Sequence, residues 1–305
     1  MSIKFMRTLL ILGAVTTNLI ASPVGAGGFV AKGDKVEKLA GDMRFTEGPV
    51  WLPKKEIVVF SDIPNSKLMQ WSAKDGLKVF RESKQANGNI LDSKGLLLTC
   101  QHAGRNVVRT EAGGKITVLA DKYDGKKLNS PNDLVEHPDG SIWFTDPSYG
   151  LRGKKGEIDG KNVYRLDLKT GAVTMIYDGF DMPNGIVFSP DAKRVYISDT
   201  GKVGIIRVFD VIKGTKISEK PVLEIPVRCD GMCLDTEGNL YTTTKAGIQI
   251  FDKEGKLVGV IPVPEQPANV CFGGKNFDTL FITARKSLYS VKTTKVGFRL
   301  KQKKE

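Results

Sequence analysis

After residue 26 the chain shows no sustained helical period. Short runs rich in β-branched and aromatic residues alternate instead with turns built from Gly, Asp, Asn and Pro. These runs recur as one unit. A polar head opens each copy, at Glu47, Asn87, Asn132, Asn184, Asp230 and Asn269, in steps of 40, 45, 52, 46 and 39 residues. An apolar run follows each head, then a polar turn such as His137-Pro138-Asp139-Gly140 or Asp235-Thr236-Glu237-Gly238. A second run then ends in a quartet: Val59-Phe60-Ser61-Asp62, Leu97-Leu98-Thr99-Cys100, Trp143-Phe144-Thr145-Asp146, Tyr196-Ile197-Ser198-Asp199, Tyr241-Thr242-Thr243-Thr244 and Phe281-Ile282-Thr283-Ala284. From head to quartet end the offset is 13 to 15 residues in every copy. Third and fourth runs, such as Gly247–Phe251 and Leu257–Ile261, complete most units.

Four strands per unit at a period near 45 residues is the pattern of a β-propeller blade. The sequence therefore predicts an all-β fold, a six-bladed β-propeller with four-stranded blades, as a single domain over residues 35–297. Lys35–Leu39 precedes the first head and is expected to add an edge strand to the last blade, closing the ring and removing exposed edges. Residues 150–161, with glycines at 150, 153, 156 and 160, predict a rim loop of blade three.

Residues 1–26 read as a signal peptide. Lys4 and Arg7 precede a short apolar stretch, Leu9 to Ile20, and small residues lead to a cleavage site after Ala26 or Ala21. This stretch is too short for a membrane span and no Cys follows it, so an exported protein without a membrane anchor, periplasmic or secreted, is expected. Residues 27–34 are expected to form a flexible leader and residues 298–305 a basic tail.

The innermost strand of a propeller blade lines the central channel. That placement would gather Glu47, Asn132, Asn184 and Asp230 around one axis. Two carboxylates and two amide carbonyls are hard oxygen donors and suit Ca²⁺. Mg²⁺ or Mn²⁺ would use fewer of them, and Zn²⁺ remains an alternative although it prefers His or Cys. Each residue alone would mark only a turn; it is their common register in a repeat that turns do not require.

The motifs Glu47-Gly48-Pro49-Val50-Trp51, Ser130-Pro131-Asn132-Asp133-Leu134, Trp143 to Gly150, Pro183-Asn184-Gly185 and Cys229-Asp230-Gly231-Met232 resemble those of the gluconolactonase / regucalcin / luciferin-regenerating family, over roughly residues 40 to 290. The resemblance implies a six-bladed propeller that binds a divalent metal in its channel and hydrolyses lactones or related esters. It implies that Glu47, Asn184 and Asp230 hold the metal, that Asn132 is a further ligand or a substrate contact, and that Asp230 also transfers protons. A metal with open positions can polarise a lactone carbonyl and lower the pKa of a bound water. The expected function is thus metal-dependent opening of a small lactone. The alternatives are an aryl-ester or phosphotriester hydrolase on the same site, or a non-catalytic ligand-binding propeller in which the metal is structural.

Other residues refine this picture. His102 follows the second run of blade two and is a candidate for contact with substrate hydroxyls, for proton transfer or for a structural hydrogen bond. Nearby Arg105 is a candidate for pairing with an anionic substrate, although a strand-connector charge is the simpler reading. Asp62, Asp146 and Asp199 recur at one blade position, which argues for a repeated bond to backbone. Cys100, Cys233 and Cys271 sit in apolar runs as small core residues, and the four cysteines form no CxxC pair. The formal charge of +12 raises a nucleic-acid reading. The Lys and Arg residues, however, are scattered through turns without interleaved aromatics, so a solvated basic surface and a small-molecule partner, not nucleic acid, are expected.

Overall fold

The computed structural model describes residue 25 and residues 28–300. The expected signal peptide, Gly25 apart, and the tail from residue 301 lie outside the described residues. The described chain forms six antiparallel sheets arranged as propeller blades, as the repeat predicts. The inner strands are Thr46–Leu52, Ala86–Leu91, Leu134–Glu136, Pro183–Phe188, Met232–Leu234 and Pro267–Gly273. Blade four adds a short strand, Lys216–Ile217, at its third hairpin.

The ring closes as expected. Glu37–Ala40 pairs antiparallel with Ser287–Lys292 and becomes the outer strand of blade six. The preceding segment departs from the flexible leader expected there. Phe29 packs edge-on against Tyr241 in the interface of blades five and six, and Val30 bridges to Thr293. The start of the tail is also held, with Phe298 donating its N–H to Leu234 and packing beside blade five.

The second strands explain why their sequences read as unbroken apolar runs. Side chains alternate between the two faces of a blade, and both faces are buried against neighbouring blades. In blade three, Ile142 and Phe144 join the interface with blade two while Trp143 joins the one with blade four. Blade one repeats this, with Ile57 and Val59 facing blade two and Val58 and Phe60 facing blade six. Six apolar clusters occupy the six interfaces among the described residues.

At the hub the blades touch through backbone. The hydroxyl in the third quartet position donates to the head carbonyl of the next blade: Ser61 to Asn87 at 2.6 Å, Thr145 to Asn184 at 2.7 Å, and Ser198 to Asp230 at 3.0 Å. Thr243 makes the same bond to Ala268 at 2.9 Å, and the ladder agrees, because Pro267 pairs with Ala284 as Thr46 pairs with Asp62. The sixth head is therefore Ala268, not Asn269 as the spacing suggested. Asn269 stands in the position that Gly48, Gly88, Gly185 and Gly231 hold in four other blades. A side chain there has no room. A Cβ on Gly48 would sit 2.1 Å from the Asn87 carbonyl, and one on Gly231 would sit 2.1 Å from Asn269 Cγ. The glycines leave space for two side chains only, Asp133 and Asn269, which meet across the axis at 3.4 Å.

This crowding is testable by thermal and denaturant unfolding. Gly231→Ala is expected to lose roughly 3 kcal/mol through overpacking, part of it recovered by adding Asn269→Ala. Gly113→Ala, where nothing lies within 4 Å, should change stability by less than about 1 kcal/mol.

Candidate active site

Three inner strands enter the hub from loops that an aspartate pins. Asp62 accepts N–H groups from Arg44 and Phe45, Asp146 from Asn129 and Ser130, and Asp199 from Asp181 and Met182. In each blade the donors lie three and two residues before the head. The repeated aspartates thus act on backbone, as their register predicted, and they fix the approach of Glu47, Asn132 and Asn184 to the axis.

The heads open into a pocket at one mouth of the channel, lined by Glu47, Asn87, Asn132, Asn184 and Asp230. His102, Tyr149, Thr200, Arg228, Lys245 and Gln266 rise around them. Asp230 is held through its backbone: its carbonyl accepts from Ser198 Oγ and from Gly185 N at 3.2 Å, and its N–H donates to Thr243. Its carboxylate receives the Asn184 amide. Glu47 accepts from its neighbour Gly48 N at 3.1 Å and lies close enough to Asp230 to raise its own pKa.

The electrostatics of this floor are unfavourable for the bare chain. Burial, then the Asp230 and Asp133 charges, push Glu47 well above the usual carboxylate range. Burial and Asp133 push Asp230 up to about 7, and burial raises Asp133 to about 7. The lining cations, Arg228 and Lys245, are exposed at the mouth. Among the described residues no group of three or more His, Cys, Asp or Glu is placed to hold an ion. The donors gathered here are two carboxylates plus the amides of Asn132 and Asn184, and the Asn132 side chain makes no hydrogen bond within the described chain. Two neighbouring carboxylates beside a free amide oxygen fit a hard divalent cation, which would supply the missing countercharge.

His102 lines the same pocket, as its sequence position allowed. Its Nε2 lies 3.1 Å from Asn87 Nδ2, and its ring stacks on Tyr149 with centroids 6.4 Å apart. Burial lowers its pKa to about 4, so the imidazole is neutral. Arg105 does not line the pocket. Its left-handed backbone, φ 51°, turns the guanidinium to the carbonyls of Leu128 and Lys127 and to Glu157, where it straps the blade-three rim segment. Of its two candidate roles Arg105 takes the structural one, and the anion contact is not made.

Sequence reasoning missed three contributors. Asn87 stood in head register but carried no motif. Tyr149 lay in a quoted motif, yet only the fold turns its hydroxyl towards Thr200 and, at 3.4 Å, towards Asn184 Nδ2. Asp133 follows a head and was not separated from it. The cysteines are unpaired, and Cys229 lies buried behind Asp230 with Sγ donating to the Gly231 carbonyl at 3.3 Å.

A family profile described as the SMP-30/Gluconolactonase/LRE-like region matches residues 45–286. A gluconolactonase from Zymomonas mobilis subsp. mobilis is 29% identical over 86% of this chain and 82% of its own. A pentonolactonase from Haloferax volcanii is 28% identical over 79% and 81%. A gluconolactonase structure from Xanthomonas campestris superposes with a TM-score of 0.81 at 31% identity, covering 87% of this chain and 91% of that one.

The neutral state of His102 has a measurable signature. Its imidazole resonances should titrate near pH 4, not near 6.5. As pH falls through that window the unfolded chain gains a proton that the folded chain refuses, so stability declines. His102→Asn should flatten this part of the stability profile.

Proposed function

The chain belongs to the SMP-30/gluconolactonase/LRE-like family, and from that premise we propose that it opens a small sugar lactone with a divalent cation, Ca²⁺ before Mg²⁺ or Mn²⁺, at the channel mouth. The lactonase relatives support a lactone hydrolase. The observation that carries the reading is the meeting of Glu47, Asn132, Asn184 and Asp230, spread over nearly the whole repeat, in one pocket.

Glu47, Asn184 and Asp230 are the residues that would hold the cation, with Asn132 as a fourth oxygen or as a contact to substrate. When bound there, the cation supplies Lewis-acid polarisation of the lactone carbonyl. Asp230 is the proton carrier. Its carboxylate takes a proton from the water that attacks the carbonyl carbon, and returns it to the ring oxygen as the C–O bond breaks. The Asn184 amide holds that carboxylate in place, and the bonds from Gly185 and Ser198 fix its backbone. His102 is neutral and offers a hydrogen bond to substrate without adding charge. We further propose export, on the strength of the Lys4/Arg7 start and the apolar stretch that follows.

A pH-stat assay with glucono-1,5-lactone tests the function. Chelation should abolish turnover and added Ca²⁺ restore it. Asp230→Asn should lower kcat by about 100-fold or more while the circular dichroism spectrum is kept. Turnover indifferent to chelation would remove the cation from the reaction, and full kcat in Asp230→Asn would remove the carboxylate's role.

A further inference from the structure

Asn87 lines the pocket with its amide half used. It is 3% exposed, and its Nδ2 donates to the neutral His102 imidazole at Nε2. Its Oδ1 is buried with no hydrogen-bond partner in the described chain. Native proteins seldom leave such an atom unsatisfied, and where one occurs in a binding site it calls for an external partner. Asn87 lines the pocket, so a molecule bound there is the partner within reach of this amide.

The surroundings identify the kind of group. Asn87 occupies the same head position as Glu47, Asn132, Asn184 and Asp230, and its main-chain carbonyl is anchored by Ser61 and by Asn89 Nδ2. Its side chain, however, is turned to the His102 face of the pocket, where the His102 and Tyr149 rings stack. This wall is uncharged: an amide, a neutral imidazole and a phenol. Such a set takes hydroxyl groups, not carboxylates or phosphates. Resting on the lactonase reading, we propose that Asn87 is a substrate-binding residue that selects lactones bearing ring hydroxyls, its Oδ1 accepting a hydrogen bond from one of them. His102 fixes the amide orientation, and Tyr149 fixes the plane of His102. The site thus distinguishes a polyhydroxylated lactone from an unsubstituted one, because the latter leaves Oδ1 unpaired in the complex.

The test compares glucono-1,5-lactone with δ-valerolactone, which has the same ring and no hydroxyls. Asn87→Ala should reduce the ratio of their kcat/KM values by about tenfold, chiefly through KM for the hydroxylated substrate. Asn87→Ser, which keeps an oxygen and guards against misfolding of the alanine variant, should recover part of the ratio. An unchanged ratio overturns the proposal, whether both values fall together or neither moves. A joint fall accompanied by weaker Ca²⁺ binding in calorimetry would assign Asn87 to the cation instead. A second readout does not need turnover. Wild type should bind gluconate more tightly than 5-hydroxyvalerate, and Asn87→Ala should lose that difference; equal binding by wild type overturns the proposal. If wild type opens no lactone, the proposed function fails, and the binding comparison still decides the role of Asn87.

Discussion

The narrowness of the hub governs this molecule. Six strands approach one axis so closely that main chain meets main chain, and the contacts are specified atom by atom. A serine or threonine hydroxyl of one blade holds the head carbonyl of the next, and glycine N–H groups do the same for Asn132, Asp230 and Ala268, as in Gly88 to Asn132 at 2.8 Å. Because glycine fills the next position in four blades, the axis holds two side chains, Asp133 and Asn269, in place of six. The rest of the site follows from this economy of space. Heads that are locked through their carbonyls have little freedom to swing, so their side-chain oxygens are preorganised at the mouth.

That preorganisation has an electrostatic consequence. Buried Glu47 and Asp133 are brought together with half-buried Asp230, and desolvation raises the pKa of all three. Such an arrangement burdens the fold of the bare chain and is relieved by positive charge. Strain of this sort concentrates where chemistry is done. The opposite side of the pocket is neutral, formed by Asn87, His102 and Tyr149. One wall therefore carries the carboxylates, and the other carries only uncharged polar groups.

Much of this was legible beforehand because a propeller is a repeat. The period, the quartets and the alternating second strands all express one local rule, that each blade buries both faces against its neighbours. The register of the heads then carried Glu47, Asn132, Asn184 and Asp230 to one axis with no long-range information. The recurring aspartates were read correctly for the same reason, since a role repeated in three blades is a role in the blade. Errors fell where the repeat is broken. In blade six the true head, Ala268, lies 16 residues before Ala284, one more than the longest offset elsewhere, so counting back by the common offset lands on Asn269. At Arg105, where two roles were open, the residue's own left-handed backbone sends its side chain away from the channel. Phe29 lies before the repeat, and only the interface of blades five and six gives it a place.

The sequence by itself determined the architecture, the closure of the ring by a strand before the first head and the four oxygen-bearing heads, because these follow from spacing and from the two-residue alternation of strands. Tertiary structure alone decided which side chains share the pocket with them. Asn87 and Tyr149 entered, Arg105 left, and Asp133 met Asn269 beneath the floor. Those outcomes depend on backbone handedness at single residues and on the free volume at a crowded axis, and neither is written in the order of amino acids along one strand.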